Sequence, residues 1–144
     1  MAGPAFGTNV GLDFTFLTDF DMTNDQFLFV QLGSDGYLNI AGAGQRALGV
    51  VQDNNVGTAS QPIGCEVRCG GTSKIMAGGT FAAGDLLASD ASGKAVKYTA
   101  ATVFTGTPYS VSGSQVLGIA VEAGTSGQLT TILFQPSGVA AAGD

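Results

Sequence analysis

The chain has 144 residues and a formal net charge of −6; 44% of it is hydrophobic, 11% is charged and there is no histidine. That length suits one compact domain, and charge this sparse, against roughly 25% in an average soluble domain, implies a surface partly covered by partner protein. Without histidine the commonest general base and metal ligand is missing, so neither an enzyme nor a metal or cofactor site is expected.

The N-terminal third is acidic. Asp13, Asp19, Asp21, Asp25 and Asp35 precede any Lys or Arg, and the five basic residues (Arg46, Arg68, Lys74, Lys94, Lys97) form no run. Nucleic acid and anionic membrane are therefore not expected partners, because both need several cations on one face. Residues 1–26 read as an extended N-terminal arm: Phe6, Phe14, Phe16 and Phe20 stand among Gly, Thr, Asn and Asp, with little periodicity beyond Phe14-Thr-Phe16. Aromatic anchors on such a segment suit grooves on another chain, which makes these four phenylalanines the candidate interface residues. The competing reading folds the arm back as an edge strand over its own domain.

From Gln26 onward the pattern is all-β. FLFVQL (27–32) and YLNIA (37–41) flank Gly33-Ser-Asp-Gly36, a strong hairpin signal. ALGVVQD (47–53) follows, then the polar loop 54–62, then IGCEVRC (63–69) and TSKIMA (72–77), which Gly70-Gly71 is expected to separate. LLASD (86–90) and KAVKY (94–98) predict a second hairpin, and QVLGIAVEA (115–123) and LTTILFQ (129–135) predict two closing strands. At most a short helix is expected near 80–84 or 99–103. The domain is bounded at residues 27–136, and 137–144 reads as a flexible C-terminal tail. LGVVQD (48–53) echoes LGIAVE (117–122), as two equivalent strands would, with Gly49 and Gly118 allowing close backbone approach or a bulge.

Three motifs imitate chemistry. GAGQRA (42–47) has dinucleotide-loop spacing but precedes a strand-like run rather than a helix, so it reads as a turn. DFDMTND (19–25) starts like a calcium loop, yet Asn24 replaces the required glycine and Val30 the bidentate acid. GGTSK (70–74) lacks phosphate-loop order, which leaves Lys74 a surface strand residue. Cys65 and Cys69 lie on one face of a strand about 13 Å apart, too far for a disulfide, and read as reduced packing thiols of an intracellularly made protein.

ALGVVQD (47–53), SKIMAGGTFAAGDLLASDASGKAV (73–96) and VLGIAVEAGTSGQLTTILF (116–134), in that order, resemble the bacteriophage capsid decoration, or head cement, proteins. The resemblance spans roughly residues 26–135. It implies a small β-barrel or β-tulip-like domain carrying no cofactor. Its partners would be the major capsid protein and itself, as a homo-oligomer with the trimer favoured, on the outer surface of a virion assembled in the host cytoplasm. The alternative is a ligand- or glycan-binding β module of a tail or cell-surface assembly. The absence of Trp and the dispersal of Tyr37, Tyr98 and Tyr109 weigh against it.

Overall fold

The computed structural model describes residues 11–99 and 115–136. Phe6, the tail 137–144 and the helix considered at 99–103, apart from Thr99, lie outside them. Among the described residues there are nine strands and no helix: β1 (Gly11–Thr18), β2 (Phe29–Leu32), β3 (Leu38–Ile40), β4 (Gly49–Val51), β5 (Ile63–Met76), β6 (Leu86–Ser89), β7 (Ala95–Lys97), β8 (Gly118–Ala120) and β9 (Leu129–Phe134). The protein is all-β, a single curled antiparallel sheet in the order β3-β2-β4-β5-β9-β8-β6-β7, with β1 added to β5.

That order reads as one four-strand unit used twice. In β2–β5 a hairpin, β2–β3, is followed by β4 on the other side of β2 and then by β5 beside β4. In β6–β9 the hairpin β6–β7 is followed by β8 beside β6 and β9 beside β8. The registers agree residue by residue. Val30 faces Gly49 and Ile40 in the first unit, as Leu87 faces Gly118 and Lys97 in the second. The hairpin turns match too. Gly36 N donates to Gly33 O (3.0 Å) and Gly93 N to Asp90 O (3.2 Å), with both glycines at positive φ (85° and 77°), where a side chain would be strained. Bridges outside the strands also correspond, Asp21 to Val56 and Phe81 to Gly124.

The echo between LGVVQD and LGIAVE therefore marks equivalent strands. Both glycines serve close approach: a Cβ on Gly49 would run into the carbonyl oxygen of Arg68, and one on Gly118 into that of Leu133. The short helix considered at 80–84 is instead a turn, with Asp85 N donating to Ala82 O.

Gly70-Gly71 does not separate two strands. β5 runs unbroken through it for 14 residues, with Gly71 at φ 91°. The pair lets the strand change partners rather than stop: residues 63–71 carry β1, 67–68 carry β4, and 71–76 carry β9. The place equivalent to Gly71 in the second unit is Pro136, which has no N–H to continue a ladder.

Two apolar clusters fill the fold. One gathers Phe29, Val50, Ile75, Leu87, Leu117, Ile132 and Phe134 from both units, with the Phe29 and Phe134 rings 6.1 Å apart. The other, under the first unit, holds Met22, Val30, Leu38, Val51, Cys65 and Val67. Because side chains alternate along a strand, β2 sends Phe29 into one cluster and Val30 into the other, and β4 divides Val50 and Val51 likewise. Such strands read as short continuous apolar runs, and these do.

Residues 11–26 do not extend away from the domain. β1 pairs antiparallel with β5, Thr15 opposite Glu66 and Thr18 opposite Ile63, and Met22 is buried. The reason is the unfilled outer side of β5 and the open flank of the cluster beneath it, which Phe16 and Phe20 cover.

Candidate functional site: the edge strand

β1 is an edge strand whose side chains are largely outside. Its first five positions are exposed and only Thr18 is buried. Leu12 is 65% exposed, Phe14 53% and Leu17 47%, the densest run of uncovered apolar side chains among the described residues. Leu12, Phe14, Phe16 and Thr18 alternate along the strand, so the inward face passes from free to covered along its length.

The four phenylalanines proposed from sequence therefore separate. Phe14 is exposed; Phe16 and Phe20 are half-buried against the cluster of Met22 and Cys65; Phe6 lies outside the described residues. Leu12 and Leu17, which no motif distinguished, join Phe14 on the open strand. The alternation Leu12-x-Phe14-x-Phe16 was the available signal.

One polar clamp fixes the strand near its N-terminal end. Arg68 on β5 reaches Asp13 with two of its three guanidinium nitrogens, Nε to Oδ1 at 2.7 Å and Nη2 to Oδ2 at 2.9 Å, while Nη1 donates to Thr72 O at 3.1 Å. Its side chain is 12% exposed, against 28% for Asp13. The bidentate hydrogen bond with Arg68 holds the Asp13 carboxyl below its ordinary value of 3.8, and the same contact raises the guanidinium. The register shifts between Gly11 and Asp13, and Gly11 leaves the room that the Arg68 side chain occupies.

The other candidate groups have structural roles. GAGQRA forms a turn, with Gln45 N donating to Gly42 O (3.2 Å) and Gln45 Oε1 accepting from Gly42 N (3.0 Å), and β4 follows it. Asp21 accepts from the backbone N–H of Thr23 at 2.9 Å and from its hydroxyl, which closes the acidic turn and lowers the Asp21 pKa. Lys74 is an exposed strand residue. Cys65 and Cys69 are free thiols that both pack in the first unit's cluster, and burial raises both pKa values, which keeps them protonated at neutral pH. Among the described residues no group of three or more His, Cys, Asp or Glu could hold a metal ion. An open cleft of about 370 Å³ is lined by Gln31, Leu32, Arg46, Ala47 and Leu48, with no aromatic platform.

No protein-family profile matches the chain, and no curated protein sequence does. Comparison of the folds does find a match, the head fiber gp8.5 N base of bacteriophage phi29. It aligns over 88% of this chain and 95% of that one, with a TM-score of 0.58 and 19% sequence identity. This chain has the fold of that base. At such identity the likeness speaks for architecture, with side-chain chemistry free to differ.

Proposed function

We propose that this protein is a structural component of a phage virion, which binds the outer surface of the capsid and bridges major capsid protein subunits. Its attachment surface is the outer strand β1, with Leu12 and Phe14, which share one face of the strand, as apolar anchors. The observation that carries this reading is the fold held in common with the phi29 head fiber base over nearly the whole of both chains. The order of capsid-decoration-like segments in the sequence and the sparse surface charge point the same way. The role is mechanical rather than catalytic. Clips across subunit seams add binding energy that loss of the shell would have to break, and a homo-oligomer, with a trimer favoured, multiplies that through avidity.

Adding the purified protein to undecorated heads and counting bound copies tests this. Saturable binding is expected, with weak dependence on salt because the anchors are apolar. Leu12→Ser with Phe14→Ser, both already exposed, should leave the fold intact and weaken binding at least about tenfold, the equivalent of ~1.4 kcal/mol. Failure of the wild type to bind heads overturns the role. Unchanged binding by the double variant overturns the choice of surface.

A further inference from the structure

The two units meet in one direction only. The second unit, with residues 71–76 of β5 as its outer strand, presents that strand and the turn 90–93; the first unit receives them. Phe29 N donates to Gly93 O at 2.8 Å, and Met76 N donates to Phe27 O at 2.9 Å. Gly93 is buried, and a Cβ there would meet Ile40 Cγ2, Phe29 O and Leu28 Cβ. A two-fold junction would repeat these contacts with the units interchanged. This one does not: Gly36, the counterpart of Gly93, is exposed, and a Cβ on it would have nothing within 4 Å. The junction therefore runs head to tail.

Each half of that junction recurs, unfilled, elsewhere on the molecule. The registers make Leu17 the counterpart of Met76, and Gly84 and Leu86 the counterparts of Phe27 and Phe29. Phe27 and Gly84 share a positive φ, 64° and 88°, which sets their carbonyls alike. On the presenting side, the turn 33–36 and Leu17 stand open, Leu17 at 47%. On the receiving side, Leu86 is 44% exposed where Phe29 is fully buried. Among the described residues no turn carbonyl accepts from Leu86 N, and no strand N–H reaches Gly84 O, as happens at Phe29 and Phe27. The charges are complementary too. Ile40, which borders the buried turn, corresponds to Lys97, and Ser92 within that turn corresponds to Asp35. One open half thus carries an acid and the other a base, whose side chain is 59% exposed beside Asp85.

We propose that copies of this protein join head to tail through these two halves, repeating between chains the junction that links the units within one. Gly36 O accepts from the N–H of Leu86 of the partner subunit, and Leu17 N–H donates to the carbonyl of Gly84 of the partner subunit. Asp35 lies beside Lys97 of the partner subunit. The repeated contact builds a row of copies, which closes into a ring where its rotation allows. It meets β1 at Leu17, toward the end away from Leu12 and Phe14, and does not depend on capsid binding.

Analytical ultracentrifugation of the full-length protein, with no heads present, tests this separately from the capsid reading. The wild type is expected to be oligomeric at micromolar concentration. D35K and K97D should each raise the concentration of half-dissociation at least about tenfold. D35K/K97D, which restores opposite charges across the joint, should bring it back toward wild type. L86R, at an exposed position, should act as K97D does while the circular dichroism stays that of wild type. Asp35 Oδ1 also accepts from Tyr37 N at 3.0 Å within its own turn, so if D35K loses its fold, K97D and L86R decide alone. A monomeric wild type overturns the proposal. So does an oligomer that folded K97D and L86R leave unchanged, or a folded D35K/K97D that stays as dissociated as the single variants.

Discussion

Arg68 makes three hydrogen bonds, two to Asp13 and one to Thr72 O, and so ties the edge strand to the strand beneath it and to the approach to Gly71. The pair is partly open to solvent, so its worth is moderate, and Arg68→Ala should lower stability by about 1 kcal/mol. Asp13 titrates lower in the folded chain than in the unfolded one. Its contribution is therefore complete above the ordinary carboxylate value of 3.8 and is lost as the pH falls through the lower folded value. Denaturant midpoints measured from pH 6 downward should show Asp13→Asn less stable than wild type at the top of the range and equal to it at the bottom. Glycine gives a second expectation at this scale. Gly49→Ala and Gly118→Ala each drive a methyl into a carbonyl of the adjacent strand and should cost about 1–3 kcal/mol. Gly70→Ala, whose nearest neighbour is Leu12 Cδ1 at 3.9 Å, should cost less in the same assay.

Among the elements, β1 divides into an anchored end and an open one. Phe16 covers the cluster of Met22 and Cys65, so Phe16→Ala should lose about 1–2 kcal/mol of stability, while Phe14→Ala, largely in water already, should lose less than about 1. Deleting residues 2–18 should uncover that cluster and destabilise the first unit, which thermal melting would register as a lower midpoint. The hairpins were legible in the sequence because Asp35-Gly36 and Ser92-Gly93 put a glycine at positive φ between short apolar runs. The closing strands were legible from their β-branched residues. Two things were not. Gly70-Gly71 looks like an interruption in one dimension, and only the second partner of β5 shows that it is a crossing point. The side of β1 that would be covered depended on a pairing with residues 63–71, and on an Asp13–Arg68 contact, that local spacing cannot express. Phe16 and Phe20 could thus be recognised as anchors but not assigned to their own core.

At the scale of the whole molecule, the units share β5, and their common cluster draws Phe29 and Val50 from one and Leu87, Ile132 and Phe134 from the other. Neither can unfold without stripping a strand and a core face from its neighbour. A cavity in the second unit should therefore be felt in the first: Ile132→Ala should lower stability by about 2–5 kcal/mol. Amide exchange at Val30 and Val51 should quicken along with that at Leu87, in a single transition. Two separated transitions would mean the units are independent despite their shared strand.

The clamp's position also fixes how the edge strand responds to force. Asp13 lies near the N-terminal end of β1, next to the first of the seven paired positions, and Thr18 lies at the last. A tether on the N-terminal end that pulls along the strand axis loads the ladder and the clamp in parallel, so they must fail together. Pulled sideways, the same tether opens the pairs in series, and the ion pair is among the first contacts it meets. The strongest side-chain contact of β1 therefore stands where such peeling would begin, and the strand is given its highest resistance at that end.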